Sequence, residues 1–301
     1  MKFVTFSRAG NRAARLGLLR EDGVLDLASG AERASVRMPF DAADMISLIV
    51  SAEAGLAAVR EIAARNDDAD FALDQIQIFA PIPRPRKNVF CVGWNYLEHF
   101  EEGERFRQTA QELPQHPVFF SKAVTAVTGP FDPVPFDPGV SKKIDWEVEL
   151  GVVIGKSGKN ISEADAFKHV FGYTVVNDVS ARDLQKRHGG QWLKGKSLDG
   201  SCPMGPCLVT ADEIDPANMR VTTRVNGETK QDSNTRYMYF KIPRLIAELS
   251  LGMTLEAGDI ISTGTPQGVG FARTPPEWLK PGDVLETEIA GIGMMRNRIG
   301  G

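Results

Sequence analysis

Three carboxylates, an imidazole with a carboxylate three residues on, and a lysine in a glycine-bounded loop are the side chains of this sequence best suited to chemistry. In Ile144-Asp145-Trp146-Glu147-Val148-Glu149-Leu150-Gly151-Val152-Val153 polar and apolar residues alternate as on a strand, so Glu147 and Glu149 project from one face. A strand that carries two carboxylates is ordinarily a solvated face. Asp178, which ends the apolar run Gly172-Tyr173-Thr174-Val175-Val176-Asn177, adds a third oxygen donor where a strand gives way to a turn. An all-carboxylate set suits a hard cation such as Mg²⁺ or Mn²⁺, whereas zinc recruits His or Cys. Asp178 also fits a helix N-cap, and spacing alone leaves both readings open.

In Val92-Gly93-Trp94-Asn95-Tyr96-Leu97-Glu98-His99-Phe100-Glu101-Glu102, His99 and Glu102 share a face if the stretch is helical. A carboxylate beside an imidazole orients it and favours its protonated form, which suits a water-activating base; a surface His–Glu pair is the plainer alternative. Gly190-Gln191-Trp192-Leu193-Lys194-Gly195-Lys196-Ser197 satisfies the Walker A pattern by letter. The physics of that pattern needs a strand before the loop and a helix after it. The polar run 183–189 and the segment Leu198-Asp199-Gly200-Ser201-Cys202-Pro203 supply neither, so Lys196 is expected to act, if at all, as a lone cation facing developing negative charge. The stretch Ser262-Thr263-Gly264-Thr265-Pro266-Gln267-Gly268-Val269-Gly270 offers exposed amides and hydroxyls for a carboxylate, or forms a tight structural turn.

These residues need elements to hold them. Short alternating runs at 2–6, 15–19 and 23–27 predict a small N-terminal sheet, and the apolar spacing over 44–64 predicts one or two covering helices, interrupted near Ala54-Gly55. Pro81-Ile82-Pro83-Arg84-Pro85 can continue neither a helix nor a central strand, which places a domain boundary there: residues 1–80 as a small α+β domain, 81–301 as the larger one. Strand-like runs follow at 88–92, 146–154, 172–176, 219–225, 259–263 and 283–289, with helices expected near 162–170, where Ser162 and Asp165 resemble a capping box, and 238–249. Strands outnumber helices without regular βαβ alternation, so the class is α+β.

Composition narrows the function classes. The 301 residues are 42% hydrophobic and 25% charged with a formal net charge of −4, a globular balance with no electrostatic footprint for nucleic acid or an anionic membrane. Three cysteines, Cys91, Cys202 and Cys207, form no Cys-x-x-Cys pair, and no apolar run is long enough for a signal peptide or a membrane span. A cytoplasmic protein is expected.

Taken together, the segments resemble the fumarylacetoacetate hydrolase family over roughly residues 80–301. The resemblance rests on Gly93-x-Asn95-Tyr96-x-x-His99-x-x-Glu102, on Asp145-Trp146-Glu147-Val148-Glu149-Leu150 and on Asn177-Asp178-Val179-Ser180-Ala181-Arg182-Asp183-Leu184-Gln185. It continues through Lys194-Gly195-Lys196-Ser197-Leu198-Asp199, Val225-Asn226-Gly227-Glu228 and Thr263-Gly264-Thr265-Pro266-x-Gly268-Val269-Gly270. It implies a mixed β-sandwich roll, a homodimer, and Mg²⁺ or Mn²⁺ held by Glu147, Glu149 and Asp178. It also implies that His99, oriented by Glu102, activates a water, that Lys196 holds developing negative charge, and that Arg182, Gln185 and Thr265 surround the substrate. Phe100 to Pro117 resembles the family's mobile lid and is expected to be poorly ordered without ligand.

The expected activity is metal-dependent hydrolysis of a carbon–carbon bond in an acylpyruvate-like or 2,4-diketo acid. The alternative keeps the same enolate chemistry without attack by water: a decarboxylase, isomerase or dehydratase of a 2-keto acid, either oxaloacetate-like or a deoxy sugar acid. A catalytically silent metal- or ligand-binding protein and a P-loop nucleotide enzyme are the readings from other classes.

Overall fold

A computed structural model of the chain describes residues 1–11, 13–103 and 112–300. The chain opens with β1 (Lys2–Arg8), β2 (Arg15–Leu19) and β3 (Val24–Asp26), then α1 (Leu27–Ala34), α2 (Met45–Val50), α3 (Ala52–Ala64) and β4 (Ile76–Ile78). Beyond the prolines come β5 (Val89–Gly93), α4 (Leu97–Glu102), β6 (Val118–Lys122), β7 (Val127–Thr128), β8 (Ile144–Asp145), β9 (Val148–Ile154) and β10 (Val170–Asn177). They are followed by β11 (Ser180–Ala181), α5 (Arg182–Arg187), α6 (Leu193–Lys196), β12 (Cys202–Thr210), β13 (Arg220–Val225) and β14 (Glu228–Asn234). The chain closes with α7 (Ile242–Ser250), β15 (Ile260–Ser262), β16 (Val284–Ile289) and β17 (Gly293–Arg298).

Among the described residues most strands join one mixed sheet in the order β3-β2-β1-β12-β10-β9-β15-β5-β6, with β4 on β1 and β7 on β12. A second, antiparallel sheet runs β14-β13-β16-β17, and β11 pairs with β8. The class is the expected α+β, dominated by strands. Alternation along the central strands sends side chains to two cores. Val148, Leu150, Val152 and Ile154 of β9 pack with Tyr173 and Val175 against Val221, Ile289 and Met295 of the second sheet. Val153 and Val176 face the other way, into a core shared with Leu27, Ile46, Val59 and Ile62 of the N-terminal helices. A sheet buried on both faces reads as nearly continuous hydrophobic runs, which is why β9 and β10 carry so few polar residues.

Several local expectations change. The segment after β3 is helical, because buried Asp26 caps α1 by accepting from Ala28 and Ser29 N–H. The break in the N-terminal helical pattern falls at Ser51 rather than at Ala54-Gly55. The stretch after Ser162 is a 3₁₀ helix, Glu163–His169, and α7 starts at Ile242, after a separate turn at Thr235–Tyr237. Of the expected lid, Phe100 belongs to α4 and residues 104–111 lie outside the described ones. No helix among the described residues is long and apolar enough to cross a membrane.

The entry to α4 is pinned by Asn95, which is fully buried. Its amide donates to the carbonyls of Thr263 (2.7 Å) and Phe240 (3.0 Å), and its Oδ1 accepts from Phe240 N–H (2.7 Å). Asn95→Leu therefore strands three backbone groups and is expected to cost at least about 3 kcal/mol, at roughly 1–3 per unsatisfied buried group. Urea denaturation of the variant checks this.

Candidate metal centre and active site

The register of β9 on β10 builds the acidic cluster. Glu149 stands opposite Val176 and Val148 opposite Asn177. One step further, Asp178 faces Glu147, to whose carbonyl its N–H donates at 2.9 Å. Asn177 Oδ1 in turn accepts the Glu147 N–H at 3.0 Å, holding the residue just ahead of β9. Carboxylate oxygens of Glu147, Glu149 and Asp178, all buried, come within 4.8 Å of one another. Spacing left Asp178 divided between a ligand and a helix cap; it precedes β11 rather than a helix.

Three buried carboxylates cannot all be charged without compensation. Burial, together with the charges of Asp178 and Glu147, pushes the Glu149 carboxyl up to about 8. Its Oε2 accepts from Ser262 Oγ–H (2.6 Å) and from Gly264 N–H (2.9 Å). Gly264 can bring its amide there only without a side chain: its φ is +97°, and a Cβ would stand 2.7 Å from the Asn95 Cβ. Glu147 moves the opposite way: burial would raise it, but Arg182 and Lys196 outweigh burial and hold it below the usual carboxylate range.

The cations come from three elements. Lys196, at the end of α6, donates to Glu147 Oε2 (2.6 Å) and Asp178 Oδ2 (2.7 Å). Arg182, opening α5, donates to Glu147 Oε1 (2.5 Å), Asp145 Oδ2 (2.8 Å) and Gln185 Oε1 (3.1 Å). Burial would lower both cations, yet the facing carboxylates keep each raised. Lys122 of β6, fully buried, donates to Asp178 Oδ1 (2.8 Å) and to the Val179 carbonyl (3.0 Å). The loop with Walker A lettering is entered from α5 and not from a strand, and its lysine points into the acidic cluster.

Across the same cavity lies the imidazole. α4 places His99 Nδ1 2.8 Å from Glu102 Oε1, and Glu102 Oε2 accepts the Gly268 N–H at 2.9 Å. With Nδ1 engaged, Nε2 is the nitrogen left for a ligand. Phe271 packs edge-on to His99, and Arg182 lies over the Phe271 ring at 4.5 Å. The cavity, about 750 Å³, is lined by His99, Glu147, Glu149, Arg182, Gln185, Lys196 and Thr265 among others. Every expected site residue except Asp178 and Glu102 thus lines it, and those two contact lining residues directly.

Three partners escaped the sequence reading. Asp145, quoted only as part of a motif, accepts from Arg182 and from Gly270 and Phe271 N–H, tying the guanidinium to the turn that holds Glu102. Gln231 of β14 donates to Thr265 Oγ1 (2.9 Å) from the second sheet. Lys122 left a visible signal, a lysine closing the apolar run Val118-Phe119-Phe120-Ser121.

Residues 88–300 match the family model described as fumarylacetoacetate (FAA) hydrolase C-terminal. The chain belongs to the fumarylacetoacetate hydrolase family. It is 44% identical to oxaloacetate tautomerase YisK of Bacillus subtilis over the whole of both chains. It is 42% identical to mitochondrial oxaloacetate tautomerase fahd2 of Xenopus laevis, over 99% of this chain and 90% of that one. Among solved structures, maleylpyruvate hydrolase of Sphingobium sp. SYK-6, in complex with manganese(II) and pyruvate, superposes with a TM-score of 0.78 at 30% identity, covering 100% of this chain and 99% of that one.

These relatives correct one expectation. The chain was expected to be a hydrolase cleaving a carbon–carbon bond in an acylpyruvate-like or 2,4-diketo acid; the two relatives above, at 44% and 42% identity and matched over nearly their whole lengths, are tautomerases, which agrees with the isomerase alternative instead. The error has a physical source. Hydrolysis and tautomerisation both need negative charge stabilised on a 2-keto oxygen and a base nearby, and the spacing of His99 and Glu102 does not say whether the base faces a water or a C–H bond.

Two outcomes follow from the charge arrangement. Lys122→Met removes one cation from a buried pair and is expected to destabilise the fold by about 3 kcal/mol or more, read by chemical denaturation. For Glu149, the folded state keeps a proton up to about pH 8 that the unfolded chain, with the ordinary value of 4.5, has already released. The contribution of this group to stability is therefore full below about pH 4.5 and is lost as pH rises toward about 8. In chelator, the melting temperature of Glu149→Gln is expected to fall less than that of the parent chain across this window.

Proposed function

We propose that the chain is a divalent-metal-dependent tautomerase that equilibrates the enol and keto forms of oxaloacetate or a closely similar 2-keto acid. Support comes from the tautomerase relatives matched over nearly their whole lengths, and from one arrangement: an oriented imidazole that lines the same cavity as a buried cluster of carboxylates and cations.

The donor set fits a cation, since three carboxylates share one buried place and their mutual repulsion already raises Glu149. Glu147, Glu149 and Asp178 would hold it. A bound Mg²⁺ or Mn²⁺ supplies Lewis-acid stabilisation of the charge that develops on the substrate's oxygens. Arg182, Gln185 and Thr265 bind and orient the substrate carboxylate and keto group, and Lys196 faces the negative charge that grows as the enol loses its hydroxyl proton. His99 carries the proton at Nε2 to and from the third carbon of the substrate, while Glu102, fixed by Gly268, keeps Nδ1 occupied and the ring aimed. Phe271 shields the ring from bulk water on one side. Cytoplasmic residence and a homodimeric assembly belong to the same proposal.

The test follows the decay of enol-oxaloacetate absorbance with and without Mn²⁺. Metal-dependent acceleration is expected, with neither carbon dioxide nor a second acid released, and His99→Ala is expected to lower kcat by at least about 100-fold, the lower end of general acid–base contributions. Release of carbon dioxide as the main event, or acceleration insensitive to His99, would overturn the reading.

A further inference from the structure

We propose that one half of the cavity is an aromatic subsite for a planar apolar substituent, so that the chain also equilibrates the enol and keto forms of arylpyruvates, 2-keto acids whose third carbon bears an aromatic ring. The inference rests on the tautomerase reading and names a further substrate class for the same site.

The cavity lining is of two chemical kinds. The carboxylates, Arg182, Lys196 and His99 form its charged and polar part. A row of aromatic rings begins beside Lys196. The ammonium lies 5.0 Å from the centre of the Phe120 ring, Phe120 meets Trp192 edge to face at 5.2 Å, and Trp192 meets Trp94 in the same manner at 5.1 Å. All three rings line the cavity and are only partly buried. Gly93 lies beneath this wall: a Cβ there would stand 2.4 Å from Trp192 Cζ3, so the indole rests on bare backbone. Val118 extends the apolar lining.

Phe120 and Trp192, partly exposed and placed edge to face, present ring surface to the cavity, the surface a flat aromatic ligand packs against. The volume of about 750 Å³ lies within the range of about 300–1,000 Å³ that holds drug-sized ligands, and a small dicarboxylate fills little of it. An arylpyruvate keeps the carboxylate and 2-oxygen that the polar part would bind and replaces only the group on the third carbon. The reaction balances without an oxidant or co-reactant. The enol O–H bond breaks, a C–H bond forms at the third carbon with the electrons of the C=C bond, and the C–O bond becomes C=O. His99 Nε2 moves the proton as it would for oxaloacetate.

The experiment compares phenylpyruvate with oxaloacetate on the Mn²⁺-loaded protein by enol absorbance, in the parent chain, in Trp192→Ala and, should that variant fold poorly, in Phe120→Leu. Expected are acceleration of phenylpyruvate equilibration by the parent chain and a fall of at least tenfold in the ratio of kcat/KM for phenylpyruvate to that for oxaloacetate in the variant. Acceleration of oxaloacetate alone, or an unchanged ratio in the variant, overturns the subsite and leaves the tautomerase reading standing. If neither acid is equilibrated, the tautomerase reading fails and binding decides the subsite. Saturation transfer from the protein to the phenyl protons of phenylpyruvate, lost in the variant, supports it, and phenylpyruvate binding no tighter than pyruvate overturns it.

Discussion

The molecule is organised around an electrostatic problem that strand pairing creates. Because β9 runs antiparallel to β10 in one register, Glu149 falls beside Val176 and Glu147 opposite Asp178, and three carboxylates are buried together. A one-residue slip of β9 would turn Glu147 and Glu149 to the opposite face, into the core now holding Leu150, Val152 and Val175, where their burial without partners is prohibitive. The apolar cores on both sides of the sheet therefore fix the register, and the register fixes the cluster.

Compensation for that charge reaches across the chain. Lys122 comes from β6 at the far edge of the sheet order, Arg182 and Lys196 from two short helices after β11, and Ser262 and Gly264 from the end of β15. Asp145 then links the cluster to the opposite wall. It binds Arg182 on one side and the amides of Gly270 and Phe271 on the other, while Gly268 in the same turn binds Glu102, which orients His99. A displacement of the Gly268–Phe271 turn thus moves the imidazole and the guanidinium together, so the two sides of the cavity are positioned by one short hydrogen-bonded path.

What could be read from the sequence follows the range of the determinants. Periodicity over 146–154 and 172–176 was enough for the strands that carry Glu149 and lead into Glu147 and Asp178, because alternation is a local property. β12 was not among the expected strands, its segment having been weighed only as a helix after a phosphate loop; in the sheet, Gly205 and Pro206 fall where its pairing with β10 shifts register, and there the ladder tolerates proline. Lys122 and Gln231 were missed for another reason. Their partners are 56 and 34 residues away, and no spacing rule connects them. The boundary between reaction types was illegible for a third reason: it depends on which atom of a bound acid faces His99 Nε2, a property of the cavity rather than of any motif.

The same reasoning explains why one set of residues serves different chemistry within a family. Charge stabilisation at a 2-keto oxygen is common to cleavage and to tautomerisation, so the acidic cluster and its cations place little constraint on the reaction. Discrimination must come from what else enters. A cleaving enzyme has to hold water against a second carbonyl, whereas a tautomerase has only to keep water out and present one proton donor to carbon. In this chain the imidazole packs edge-on to Phe271, and the wall beyond Lys196 is built of Phe120, Trp192 and Trp94. Phe271 takes up one side of the imidazole, and a side of the ring covered by an apolar side chain is one from which a competing water cannot approach.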